Sequence, residues 1–225
     1  MSKSKTNLVL FGSGGYGKEV LWILKTCSIN KNKFSILGFL DENKSLWGKN
    51  ILGVPILGGL NWLKNSSQEN LNCVICVGDP VIRKTIFKKL DKLGLIFPKI
   101  IHSSCILDND KLIGEGSVIS TNVSIESNVK IGKHAFVNMN SSIAHDSDIG
   151  NFVTICPGSH INGNNIIECG SFLGSGSITK EKISIGKWSI IGAGSVLINN
   201  AKSFSLYVGN PALLKRSIKS NRPVL

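Results

Sequence analysis

Aromatic side chains make up only 7% of this 225-residue chain, and it has two methionines. Thick globular cores draw heavily on such bulky residues. Their scarcity, together with 24 glycines, favours a thin-cored and turn-rich architecture. No apolar run approaches the ~20 residues of a membrane span. The short apolar stretch ending at Phe11 runs straight into glycines and is too short for a signal-peptide core. The expectation is a cytoplasmic protein with no membrane partner. Acid is also in short supply, with 14 Asp and Glu against 26 Lys and Arg. Residues 1–100 hold 15 of the basic residues and 6 of the acidic ones. These lysines are dispersed, without interleaved aromatics or an arginine cluster, so they do not read as a nucleic-acid groove. They suit a small molecule that carries phosphate.

Paired cysteines are missing too. The six are scattered, and only Cys73 and Cys76 have C-x-x-C spacing, inside the apolar run NCVICVG. No second pair follows, so they read as small buried residues rather than as a zinc or redox site. Four histidines at irregular spacing give no metal cage either.

Two regions with different periods divide the chain, and the length accommodates a core for each. Over residues 7–98, apolar strands alternate with helical patterns: NLVLFG, then GKEVLWILKTC, FSILGFLDEN, VPILGGLNWLKN, NCVICVGDP, and an amphipathic VIRKTIFKKLDKLG closed by Gly94. This alternation predicts a small parallel sheet covered by helices. The first strand–helix turn, Gly12-Ser13-Gly14-Gly15-Tyr16-Gly17, fits G-x-G-x-x-G. Such glycines allow a tight turn and bring backbone amides and a helix N-terminus toward a phosphate. Asp41 ends the second strand, where an acid can accept from a ribose hydroxyl or a base edge. A dinucleotide needs two mononucleotide halves. Fewer than 100 residues supply one, which suits the nucleotide of a nucleotide-sugar.

From Ile101 to Leu197 every sixth residue lies in one register, and sixteen of these seventeen positions are aliphatic, Thr179 being the exception. Glycine often follows directly, as at Gly114, Gly132 and Gly150, and a small residue often stands four places on, as at Ser117, Ser141 and Ser159. A hexapeptide period is the signature of a parallel β-helix. Three six-residue faces make a coil, and the aliphatic side chains stack inward. The predicted fold is therefore an α/β domain over residues 1–99 and an all-β prism with a C-terminal tail over residues 100–225.

This combination resembles a bacterial acyltransferase family. The carrying motifs are FGSGGYGKEV, GFLDEN, VPILGG and VGDPVIRK, the prism segment NMNSSIAHDSDIGNFVTICPGSHINGN, and the ending IIGAGSVLINN…YVGNPA. The relatives are left-handed β-helix sugar acetyltransferases with a small Rossmann-like N-terminal domain, and they include nucleotide-4-amino-sugar N-acetyltransferases and sialic acid O-acetyltransferases. The resemblance implies a homotrimer with acetyl-CoA in the groove between neighbouring prisms. It implies N-acetylation of a nucleotide-linked 4-amino-4,6-dideoxy sugar, with O-acetylation of a sialic acid or related sugar as the alternative. Carried over, His145 is the general base, Asp146 the acid beside it, and Asn138 the asparagine of the Asn-x6-His-acid motif. Gly12, Gly14, Asp41, Gly78 and Arg83 fall in the nucleotide-sugar segments, and Gly163, Gly174 and Ala193 in strips lining the coenzyme. Two departures stand out: Thr154 where some relatives have a second histidine, and Gly78-Asp79-Pro80 where many have Gly-Asn-Asn.

The residues make chemical sense of acetyl transfer. A thioester acceptor must lose a proton, and an imidazole takes and returns protons at neutral pH. A carboxylate beside it fixes the tautomer. One obstacle arises, because consecutive residues of a strand point to opposite sides. His145 and Asp146 meet only if a corner falls between them. Asn138 lies more than one face back and is expected to complete the site of a neighbouring subunit. The basic tail residues Lys215, Arg216, Lys219 and Arg222 read as a solvated extension or as an aid to the coenzyme's phosphates.

Overall fold

A computed structural model describes residues 5–66 and 70–219; Arg222 lies outside them. The N-terminal unit runs β1 (Thr6–Phe11), α1 (Gly15–Thr26), α2 (Ser28–Lys33), β2 (Phe34–Leu40), β3 (Asn50–Ile51), β4 (Val54–Gly58), α3 (Leu60–Asn65), β5 (Asn72–Ile75) and α4 (Pro80–Leu90). The sheet order is β3-β4-β2-β1-β5. Pairings of β1 with β2 and β5, and of β2 with β4, are parallel, as the alternating sequence predicts. The short β3 is an addition. It pairs antiparallel with β4 around Leu52 and Gly53, both at positive φ, which closes a tight hairpin.

From Ile100 to Leu197 the chain winds as a left-handed parallel β-helix of two-residue strands, and Ser205–Val208 and Leu213–Ser217 then pair antiparallel. As far as Leu197, each inward residue of the sixfold register pairs with the one eighteen places on. Ile119, Val137, Ile155, Leu173 and Ile191 form one such column, and Ile125, Ile143 and Ile161 another. All of these are buried. The small residues four places later have a defined job. Buried Ser117, Ser141, Ser159 and Ser171 donate their hydroxyls to carbonyls of the coil above, at 2.8–3.1 Å. Thr179, the one polar residue in the aliphatic register, is fully buried and accepts from Asn165 Nδ2 at 2.6 Å and from the Asn162 amide at 3.1 Å.

The corners are as regular as the core. Every sixth residue from Gly116 to Gly194 has φ between +52° and +73°. Gly, Asn and Asp occupy most of these positions because they tolerate left-handed backbone at least cost. Lys182 is a lone exception, and one edge departs more widely. It carries His134, Phe152 and Trp188 at positive φ, and it is the edge that α4 lies against: Phe87 of that helix touches both His134 and Phe152.

That contact belongs to a broad seam between the two units. Ile100, Val118 and Phe136 point outward from the prism yet are buried in one cluster with Leu8, Val20 and Leu24. Tyr16 stacks on Phe136 at 3.9 Å. Arg83, fully buried, closes the seam. Its Nε donates to the His134 carbonyl at 2.9 Å, Nη1 to Val77 and Gly78 carbonyls at 2.7 and 3.0 Å, and Nη2 to the Phe152 carbonyl and Thr154 Oγ at 2.8 and 2.9 Å. Its planar fork satisfies acceptors from both units at once. Burial lowers its pKa to about 10, so it stays charged at neutral pH.

Two stability outcomes follow from the seam. Arg83→Lys leaves several buried carbonyls without donors, and we expect a loss of about 3 kcal/mol in urea unfolding; an unchanged midpoint would refute the clamp. His134 sits among Phe87, Phe97 and Phe152 with neither ring nitrogen hydrogen-bonded, and burial pushes its pKa down from 6.5 to about 4. The folded state binds this proton less readily than the unfolded state. Stability is therefore fully present above pH 6.5 and falls by about 3 kcal/mol as pH drops to about 4. His134→Phe should flatten that slope between pH 6.5 and 4, whereas an unaltered slope would assign it to other groups.

Candidate active site

His145 and Asp146 straddle a corner. Asp146 takes φ 57°, and this left-handed turn swings its carboxylate back beside the preceding imidazole. His145 Nδ1 meets Asp146 Oδ2 at 2.8 Å. The corner thus removes the obstacle that a straight strand poses. With Nδ1 donating to the carboxylate, Nε2 carries the lone pair and is available as a base. The backbone of His145 is fixed on both sides. Its N–H donates to Glu126 Oε2 at 3.0 Å, and its carbonyl accepts from the Asn164 amide at 2.9 Å. Asp146 in turn accepts from Asn128 Nδ2 at 2.8 Å. The Asn128 bond first, then the His145 bond, hold the Asp146 carboxyl below its usual range.

Gly163, one coil above, is buried against the imidazole. A Cβ there would stand 2.9 Å from both Cε1 and Nε2 of His145, so only glycine leaves the ring its place. Gly174 and Ala193 form a different contact. A Cβ on Gly174 would meet the Ala193 amide nitrogen at 2.5 Å. They precede the corners at Gly176 and Gly194, whereas His145 and Gly163 precede those at Asp146 and Asn164, on the next edge of the prism.

The glycine loop is built as its motif requires. Gly12 takes φ 111°, and a Cβ would lie 2.7 Å from the Cys76 carbonyl. Gly14 is the N-cap of α1, with open space around it. Gly17 packs α1 onto the loop, because a Cβ would stand 2.2 Å from the Gly12 carbonyl. Asp41 accepts from the Ser13 amide at 3.0 Å, from the Ser13 hydroxyl, and from the Asn43 amide at 2.9 Å. Burial raises its pKa, but these bonds outweigh burial and leave it below the ordinary carboxylate value. Asp41 therefore fastens the end of β2 to the loop. Clefts open on either side of it, one of about 430 Å³ bordered by Gly12, Val77, Thr85 and Lys89, the other of about 670 Å³ bordered by Gly14, Lys18 and Leu52. Each has a lysine at its wall, in keeping with a phosphorylated ligand.

The remaining candidates lie in the seam. Arg83 is fully buried and its donors are committed to protein acceptors, so here it is an interdomain clamp and not a ligand contact. Gly78 contributes its carbonyl to that clamp and to Thr154 Oγ at 2.8 Å. Both sequence departures have local roles. Thr154 joins the clamp, while Asp79 caps α4 through the Val81 and Ile82 amides at 2.8 and 2.9 Å, with Pro80 in the first turn. Asn138 is 7% exposed; it donates to Glu19 Oε2 of α1 at 3.3 Å and accepts from the Met139 amide at 2.7 Å. Nothing bonds it to His145 within the described chain. Burial raises Glu19, with the Asn138 and Ser120 bonds opposing. Cys73 and Cys76 are buried in and just after β5, and burial pushes Cys73 up to about 12. Among the described residues no group of His, Cys, Asp and Glu is placed to hold a metal ion, and no helix is long and apolar enough to cross a membrane.

The comparisons with known proteins agree with this architecture. Residues 7–90 match the PglD N-terminal domain and residues 128–163 the bacterial transferase hexapeptide (six repeats). The chain is 31% identical over 185 residues to GDP-perosamine N-acetyltransferase from Escherichia coli O157:H7, covering 82% of each sequence. The crystal structure of PerB from Caulobacter crescentus, in complex with CoA and GDP-perosamine, superposes with a TM-score of 0.85 at 25% identity, over 95% of this chain and 99% of that one. The acetyltransferase domain of PglB from Neisseria gonorrhoeae FA1090, in complex with acetyl coenzyme A, gives 0.85 at 26% identity, over 94% and 100%. By its two matched domains and its relative of known type, this chain belongs to the left-handed β-helix sugar acetyltransferases that carry a Rossmann-like N-terminal domain.

Proposed function

We propose that this protein transfers the acetyl group of acetyl-CoA to the 4-amino group of a nucleotide-linked 4-amino-4,6-dideoxy sugar, with GDP-perosamine the first candidate. The observation that carries this reading is the His145–Asp146 pair, bonded at 2.8 Å across a corner with Nε2 left free. The sugar named for the E. coli and Caulobacter relatives supports the choice of substrate. The sugar amine attacks the thioester carbonyl; a C–N bond forms and the C–S bond breaks. The proton leaving the amine passes to His145 Nε2 and then to the departing CoA thiolate. Asp146 stabilises the imidazolium between these two steps. Backbone N–H groups at the corners can receive the transient oxyanion, each typically contributing ~3 kcal/mol.

The same reading makes the enzyme a cytoplasmic homotrimer. Coenzyme-strip residues Gly174 and Ala193 sit by one edge of the prism and His145 by the next, so packing edge to edge against a second copy is what joins them. Gly12, Gly14 and Asp41 hold the nucleotide end, with Gly78 at the seam behind them. Asn138 then serves the neighbour's imidazole rather than its own.

A thiol-release assay with GDP-, UDP- and dTDP-linked 4-amino sugars tests the activity. We expect turnover with at least one of them, and His145→Asn to lower kcat by about a hundredfold or more. Absence of turnover with every amino sugar, alongside turnover of a sialic acid, would overturn it. For the shared site, His145→Ala chains are mixed with Asn138→Ala chains. Activity should reappear in the mixture, and a mixture as inactive as its parents would sink the intersubunit role of Asn138.

A further inference from the structure

Four corner residues stack along the edge that carries His145: Asn128, Asp146, Asn164 and Lys182, each eighteen residues from the next and each at φ between 57° and 59°. Asn128 Nδ2 lies 2.8 Å from Asp146 Oδ1, and Asp146 Oδ2 lies 2.8 Å from His145 Nδ1. The carboxylate is thus held by one oxygen from below while the other faces the imidazole. Asp146 has few other restraints, since it and His145 are about half exposed. A free carboxylate on a solvated corner samples several rotamers, only some of which meet the ring. A corresponding pair on another edge, Asn122 Nδ2 to Asn140 Oδ1 at 3.3 Å, has no histidine attached and serves as an internal comparison.

We propose that Asn128 is a positioning residue: through Asp146 it holds the His145 imidazole with Nδ1 protonated and Nε2 free to act as base. It touches no reacting atom. Its action is exerted one coil away, by fixing the carboxylate that selects the tautomer. The lowered pKa of Asp146, whose first cause is this bond, is in keeping with it. Asn also suits the backbone, because it tolerates φ 57° and still offers a donor. The inference deepens the acetyl-transfer reading and rests on that reading for its kinetic part only.

The variant of choice is Asn128→Gly, which keeps the left-handed corner and removes the amide. Asn128→Asp keeps the shape but turns the donor into an acceptor. Ring-nitrogen NMR of histidine-labelled protein reads the His145 tautomer directly. The wild type should show Nδ1–H alone, both Asn128 variants a mixture, and Asn122→Gly the wild-type pattern. In the acetyl-transfer assay, both Asn128 variants should lose about tenfold in kcat with KM for acetyl-CoA within about twofold. A pure Nδ1–H tautomer in both Asn128 variants would overturn the proposal, as would an equal tautomer change in Asn122→Gly, which would signal a general loss of corner order. The two readings fail separately. If the wild type acetylates no amino sugar, the acetyl-transfer reading falls, while the tautomer comparison still decides the role of Asn128.

Discussion

A backbone reversal at every sixth residue governs both the scaffold and the site. Between corners the chain turns inward the register aliphatic and the residue four places on, Val123, Val129, Val153 and Ile183 among them, so the core is a narrow stack with no thickness to spare. At each corner φ turns positive, and at Asp146 this brings the carboxylate beside the preceding imidazole of His145. The coil above and the coil below then act on the same spot, Gly163 by leaving space and Asn128 and Glu126 by supplying hydrogen bonds. The site belongs to three successive turns of the prism rather than to a loop.

The N-terminal unit is not hung on a tether. Apolar residues from α1 and β1 share one cluster with Ile100, Val118 and Phe136, and Arg83 binds carbonyls of both units. Glu19 of α1 reaches Ser120 and Asn138 on the prism face. The glycine loop therefore holds a set position relative to the prism.

Most of the fold was legible in the sequence because it is written by period. Alternating strand and helix patterns located β1, α1, β2, β4, α3, β5 and α4, and the sixfold register located one inward column residue per face from Ile101 to Leu197, though Val123, Val129, Val153 and Ile183 share that core from outside the register. The short β3, and with it the hairpin to β4, escaped because two residues leave no periodic trace. The site was legible in part. His145 and Asp146 came from motif and chemistry, and the corner between them removed the geometric objection. Arg83 was misjudged because a lone arginine after a strand looks the same whether it faces a ligand or the protein's own carbonyls. Asn128 and Glu126 went unnoticed, although a signal existed: they stand eighteen and nineteen residues before Asp146 and His145, one full coil away. A step of three hexads leads from Asp146 back to Asn128, while Glu126 stands one residue beyond that step from His145.

The one polar interruption of the aliphatic register has a meaning of its own. Rungs that look alike invite the wrong rung to dock, since a solenoid shifted by a whole turn would still bury isoleucine upon isoleucine. Thr179 and Asn165 mark a single level of the stack. Any slipped alignment strands their amide and hydroxyl in hydrocarbon, and the molecule thereby keeps count of its own turns.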